Sequence, residues 1–200
     1  MSTSASRGWR SWMGLALLLG AASARAAASG GPPAGGDRLD GVGVPAARVP
    51  GILARHLLRP LHGGTLSLAD LRGQVVVLDF WASWCAPCRR ELPRLDALHA
   101  EIARRGGRVL AVSIDEDREN VDLFVRRYGL RLPIALDGPN GLARELDLQH
   151  VPLTLVLDRD GNVAFTSSRS DDAGLTAVAA AARELVAGKP VAAATEGGKP

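Results

Sequence analysis

At 200 residues and 46% hydrophobic, the chain can build one globular core of ordinary size with segments left over. Its net charge of only +3, its arginines interspersed with acids and its 4% aromatic content argue against a nucleic-acid face, which needs a concentrated basic stripe with stacking rings. The histidines His56, His62, His99 and His150 are scattered, so the two cysteines lack the partners of a four-ligand zinc site, and no metal is expected.

Residues 1–26 read as an export signal. Arg7 and Arg10 precede an apolar stretch from Met13 to Leu19, and the small residues Ala22, Ser23 and Ala24 follow in the pattern a signal peptidase accepts. The stretch is shorter than the roughly 20 residues that span a bilayer, although an uncleaved anchor stays open. Residues 27–50, rich in Ala, Gly and Pro without an apolar period, are predicted to be a flexible tether, and 189–200 a disordered tail. The folded domain is expected over 51–188.

Leu57-Leu58, the turn at His62-Gly63-Gly64 and Thr65-Leu66-Ser67 predict a small hairpin, followed by a helical turn from Leu68 to Leu71. Val75 to Trp81 is apolar without alternation apart from Asp79, as in a central strand covered on both faces. Ala86 to Arg105 places Leu92, Leu95, Leu98 and Ile102 at helical spacing and ends at Gly106-Gly107. Val109 to Ile114 is a second buried strand, and Glu116 to Tyr128 a helix with Val121, Phe124 and Val125 inward, stopped by Gly129. This strand–helix–strand unit implies parallel strands and a right-handed crossover. Leu132 to Leu136 is a short extended piece and Asn140 to Leu146 a short helix. Leu153 to Leu157 and Val163 to Phe165 flank the Asp/Gly-rich turn 158–162 as a hairpin, and alanine-rich Leu175 to Val186 is a closing helix.

The pentapeptide Trp84-Cys85-Ala86-Pro87-Cys88 sits where the first central strand ends and a helix begins. Unpaired N–H groups and a partial positive charge at a helix N-terminus favour the thiolate, the nucleophile of disulfide exchange. A second thiol two residues further on can attack the mixed disulfide so formed and pass two electrons. Cys85 is the expected attacker and Cys88 the resolver. Pro87 suits the first helical turn, where its missing N–H would have been unpaired. A purely structural disulfide is the weaker alternative, because so short a loop constrains the unfolded chain little.

Three stretches together resemble one family: Phe80-Trp81-Ala82-Ser83-Trp84-Cys85-Ala86-Pro87-Cys88-Arg89-Arg90-Glu91-Leu92-Pro93, the Val151-Pro152 step before a strand, and Leu157-Asp158-Arg159-Asp160-Gly161. Leu66 to Gly73 matches the entry to the same core. The chain is similar, over about Arg55 to Val186, to the exported thiol–disulfide oxidoreductases of the TlpA/ResA group, which include the cytochrome c maturation thioredoxins. The resemblance implies an α/β thioredoxin-like fold, a central mixed sheet flanked by helices, here with a short N-terminal hairpin extension.

The resemblance also implies roles. Pro152 would be a cis-proline facing the cysteines and the Val151 backbone would pair with a substrate peptide; a trans proline on an edge strand is the alternative. Trp84, Ala86 and Pro87 would lie on the substrate side, and Trp81 would shield the site or belong to the core. Asp79 departs from the exported group, where asparagine is usual, and matches cytosolic thioredoxins. Burial should raise its pKa until it can relay the Cys88 proton through water, unless it is simply a hydrogen-bonded carboxylate at the strand end. Glu91 would tune the thiols or contact the partner, or merely complement the helix dipole. His150 is a candidate rim contact, and Leu153 replaces a common threonine.

The expected activity is that of a periplasmic or secreted thiol–disulfide oxidoreductase, a monomeric reductant that needs no cofactor because the thiols carry the electrons. Its partners would be disulfide-bearing proteins, cytochrome c maturation among the settings, with a membrane thiol transporter of the DsbD/CcdA kind as electron source. Two alternatives share the fold. A peroxidase uses Pro-x-x-x-Thr/Ser-x-x-Cys, where this chain has Leu78 and Ala82. A copper-handling assembly factor could hold Cu(I) on two thiolates, but lacks here the Cys-x-x-x-Cys and distal His of dedicated carriers.

Overall fold

The computed structural model describes residues 38–138 and 141–189, so the expected export signal, the first part of the tether and nearly all of the tail lie outside the described residues. In chain order the elements are α1 (Val49–Arg55), β1 (Leu57–Pro60), β2 (Leu66–Ser67), β3 (Val75–Trp81), α2 (Ala86–Ile102), β4 (Gly107–Ser113), α3 (Arg118–Tyr128), β5 (Ile134–Leu136), α4 (Leu142–Glu145), β6 (Leu153–Leu157), β7 (Val163–Ser167) and α5 (Asp172–Val186). Their strands form one sheet in the order β2-β1-β5-β4-β3-β6-β7. β3, β4 and β5 run parallel, and β6, β7, β1 and β2 join antiparallel. This is the thioredoxin-like α/β arrangement, with the mixed sheet between helices and the small hairpin at one edge.

All seven residues of β3 are buried, and they alternate between two cores. Val75, Val77 and Trp81 face a layer built from α2, α3 and α5, through Leu92, Leu95, Phe124 and Val178 among others. Val76, Leu78 and Phe80 face the opposite layer, where Ile52, Leu58, Leu142 and Leu146 pack. A strand roofed on both sides has no solvent face, which is why its sequence shows no alternation. Among the described residues no helix is long and apolar enough to cross a membrane.

Helix limits follow the caps more than the apolar period. α3 begins at Arg118, two residues after the expected start, because the Asp117 side chain accepts the Glu119 N–H at 2.8 Å. It ends at Gly129, whose φ of 62° is the left-handed conformation glycine tolerates. α5 begins at Asp172 rather than Leu175, since Asp171 accepts the Gly174 N–H at 2.8 Å. The short helix after β5 is confined to Leu142–Glu145. Asp137 receives its first two N–H groups, from Leu142 and Ala143.

The tether prediction needs correction at its end. From residue 38 the chain is packed on the domain: Arg38 pairs with Pro45, Val42 with Leu148, and Leu39 and Val42 are buried in the same core as Val49 and Ile52 of α1 and Leu142 of α4. The Gly43 N–H donates to the Asp147 carbonyl at 2.9 Å, and the Gln149 N–H to the Gly41 carbonyl at 3.1 Å. Among the described residues ahead of α1 only Leu39 and Val42 are buried apolar side chains, set among Gly, Ala and Pro, so composition alone hides them. Val42→Ala should lower the free energy of unfolding by about 1–2 kcal/mol, the loss expected for two buried methyls. Chemical denaturation of the oxidised protein tests this; a loose tether would give no change.

Candidate active site

The C-terminal ends of the parallel strands β3 and β4 lie side by side, Trp81 opposite Ser113. In open α/β sheets this is where function collects. The chain leaves β3 through Ala82-Ser83-Trp84 and turns into α2 at Cys85, whose N–H donates to the Ala82 carbonyl at 3.1 Å. Cys85 is the N-cap: its backbone is extended and its Sγ accepts the Cys88 N–H at 3.2 Å. Pro87 sits in the first turn, where no intrahelical donor is lost. Cys85 and Cys88 are joined in a disulfide. Both are buried, while Trp84 beside them is 66% exposed.

The loop ahead of Cys85 is held by a residue the sequence reading passed over. Asp115, buried just beyond β4, accepts the Ser83 N–H at 2.8 Å and the Ser83 hydroxyl at 2.6 Å. The Ser113 hydroxyl donates to the same carboxylate at 2.7 Å. A Ser-x-Asp at the C-terminal end of a strand parallel to the one bearing the cysteines was the available signal.

On the other side of the disulfide the Val151–Pro152 bond is cis, and the Val151 carbonyl oxygen lies 3.9 Å from the Cys85 Sγ. Pro152 is buried and Val151 half-buried, with Ala86 exposed and Pro87 half-buried across from them. His150 is exposed, one residue from this point. Leu153 is fully buried and faces the core rather than a substrate. Trp81 is also a core residue: it is fully buried, in one apolar cluster with Cys85 and Cys88, with its ring 5.0 Å from that of Phe124.

The strand that leads to the cysteines and the helix that carries them each hold a buried carboxylate. Asp79 on β3 and Glu91 on α2 are each 1% exposed. Glu91 lies beyond the first turn of α2, which holds no acidic residue. It follows Cys88 by three residues, which puts both on one side of the helix. Thr154, opposite Asp79 in the β3–β6 register, places its Oγ1 3.0 Å from Asp79 Oδ1 and 3.3 Å from Glu91 Oε1. The second oxygens, Asp79 Oδ2 and Glu91 Oε2, are buried without a protein partner. Burial drives the Asp79 pKa well above the ordinary carboxylate range, the Glu91 charge adds to the rise and the Thr154 hydrogen bond opposes it. Burial likewise raises Glu91 to about 7, against the Thr154 hydrogen bond and the Arg94 charge. The sequence reading named both carboxylates but gave Thr154 no role, because its apolar neighbours in β6 mark only a strand.

Three comparisons bear on this geometry. The sequence profile of the AhpC/TSA family matches residues 48–166. The chain is 36% identical over 107 residues to a thiol-disulfide oxidoreductase ResA of Geobacillus thermodenitrificans, an alignment covering 54% of this chain and 62% of that relative's length. Among solved structures it is similar to a secreted thiol-disulfide isomerase of Corynebacterium glutamicum, with 33% identity and a TM-score of 0.58, covering 64% of this chain and 81% of that one. A Chlorobium tepidum protein described as a thiol:disulfide interchange protein DsbE gives 28% identity and a TM-score of 0.62, covering 66% and 94%.

The buried carboxylates make the fold itself sensitive to pH. With Glu91 raised from 4.5 to about 7, the folded chain holds its proton more tightly than the unfolded chain. That stabilisation is complete below the unfolded value and lost as pH rises through the folded one; Asp79 acts in the same sense. The oxidised protein should therefore resist denaturant better at about pH 5 than at about pH 8, and Glu91→Gln should shrink that difference. Equal pH dependence in both proteins would show that Glu91 is not a buried titrating group.

Proposed function

The chain belongs to the AhpC/TSA family, and from its site we propose a thiol–disulfide oxidoreductase that exchanges disulfides with partner proteins through Cys85 and Cys88. The observation that carries this reading is Cys85 as N-cap of a 17-residue helix, its sulfur already accepting a backbone N–H. The donor and the helix dipole that hold that sulfur would hold a thiolate better still.

In the reduced protein the Cys85 thiolate attacks one sulfur of a substrate disulfide. An S–S bond forms between Cys85 and the substrate, the substrate S–S bond breaks, and the first substrate thiolate leaves. Cys88 then gives its proton to a buried carboxylate and attacks Cys85 Sγ. The Cys85–Cys88 bond closes, the second substrate thiolate departs, and two electrons have passed to the substrate, whose thiolates take up two protons. Trp84, Ala86 and Pro87 border the cysteines on one side and Val151 and Pro152 on the other. The Val151 backbone there is in position to pair with an extended substrate segment.

We assign the direction as reducing, because Ala86-Pro87 between the cysteines resembles the dipeptides of reducing relatives. The place of action is assigned outside the cytosol, where a secreted similar protein and the N-terminal sequence both point. A reductant there needs recharging, and a membrane thiol transporter of the DsbD/CcdA kind is the proposed source, with cytochrome c maturation the proposed setting. Peroxide reduction, suggested by the breadth of the fold, is the weaker reading. Leu78 and Ala82, at the positions where an activating proline and hydroxyl would stand, are buried and apolar.

Two measurements test the proposal. Cys88→Ala should accumulate mixed disulfides with substrate proteins through Cys85, whereas Cys85→Ala captures none; the reverse pattern would exchange attacker and resolver. Equilibration with glutathione should give a reduction potential nearer the about −270 mV of thioredoxin than the about −120 mV of a strong oxidant such as DsbA.

A further inference from the structure

A threonine hydroxyl carries one hydrogen, and two carboxylates sit around that of Thr154. If Thr154 donates to one of them, its contact with the other sets two acceptor oxygens face to face, unless that second carboxyl is itself protonated and donates back. The arrangement is satisfied when the pair holds one proton: Asp79–H to Thr154 Oγ1, and Thr154 O–H to Glu91. A concerted shift of both hydrogens gives the mirror state, with Glu91 protonated and Asp79 ionised. Two ionised carboxylates in this apolar layer would instead repel each other across a site where charges are poorly screened.

The geometry points to Thr154 as a proton wire that joins Asp79 and Glu91 into one acid–base group, which keeps a resident proton and takes one more from the resolving thiol. The inference rests on the exchange reaction proposed above and deepens it. A lone carboxylate in either position would act independently of the other; here the end nearer the cysteine helix can receive the Cys88 proton while the resident proton lies towards β3. In the resolving step the Cys88 S–H bond breaks, its proton joins the pair, and the pair passes from one proton to two. When the disulfide has closed and the second substrate thiolate leaves, a proton is released from the pair to that thiolate or to water.

The surroundings leave few other groups to set this balance. From α2 come Cys88, Glu91 and Arg94, whose charge opposes the rise of the Glu91 pKa. From α5 comes Asp172, paired with Arg94 at 2.5 Å. β4 presents Ala111 opposite Asp79, and β7 presents Ser167 opposite Thr154. Thr154 acts on the thiol only through the carboxylates, so it is a positioning residue.

The test compares Thr154→Val, which keeps the shape and removes the hydroxyl, with Thr154→Ser, which keeps the hydroxyl. Resolution of a preformed Cys85 mixed disulfide is followed across pH. Thr154→Val should slow it by about tenfold and displace its pH profile, the loss expected for a hydrogen bond to a charged group, and Thr154→Ser should restore both. Asp79→Asn and Glu91→Gln should each slow the step, and the double variant should be no slower than the worse single one, because they disable a single unit. A Thr154→Val profile superimposed on that of the natural chain, or additive losses in the double variant, would overturn the wire.

Infrared spectra of the unaltered oxidised protein at neutral pH supply a readout independent of folding defects and of disulfide exchange. They should contain a protonated carboxyl C=O band that disappears or shifts in Asp79→Asn and in Glu91→Gln. Absence of the band overturns the inference whatever the kinetics. If the band is present and the cysteines prove inert in exchange, the proposed function fails while the shared proton stands.

Discussion

Val75–Trp81 runs between two apolar layers with none of its residues reaching water. Apolar side chains are stabilised by that position at roughly 25 cal/mol for each Å² withdrawn from solvent. A carboxylate is penalised by it, because the hydration that stabilises its charge has gone. The chain nonetheless places Asp79 there, and brings Glu91 down onto it from α2. The surroundings answer with one hydroxyl for two acids. Burial of β3 thus both secures the fold and creates the group whose protonation would follow the redox state of the cysteines.

The cysteines depend on the same strand in another way. A buried strand that ends abruptly and gives way to a helix leaves a helix N-terminus at the rim of the sheet, with backbone donors aimed at whatever side chain caps it. Cys85 is that cap. The turn needs holding as well as forming, and Asp115 does this from the end of the neighbouring strand by gathering the Ser83 backbone, the Ser83 hydroxyl and the Ser113 hydroxyl. The parallel pairing of β3 and β4 makes this possible, since it brings both strand ends to the same edge.

Much of this is legible in the sequence. Unbroken apolar runs announced β3 and β4, helical spacing of Leu92, Leu95, Leu98 and Ile102 announced α2, and two cysteines placed between them announced the chemistry. Boundaries were less legible because they are set by single hydrogen bonds: Asp117 and Asp171 start their helices by capping them, which leaves no trace in hydrophobic periodicity. The packing of the segment from residue 38 is hidden for a related reason. Its composition is that of a tether, yet Leu39 and Val42 are buried in one core with residues of α1 and α4.

The amino-acid sequence by itself determined the order of elements and the placement of the two cysteines, because these depend on patterns among near neighbours and on residue types, and its motifs carried the resemblance that implied the thioredoxin-like class. Tertiary structure decided that Glu91 is buried, that Thr154 stands between it and Asp79, and that Asp115 holds the loop before Cys85. Those contacts join residues 32, 63 and 75 positions apart. A hydrogen bond depends on distances of a few tenths of an ångström, and no local pattern in a chain records which distant side chain will arrive there when the sheet closes.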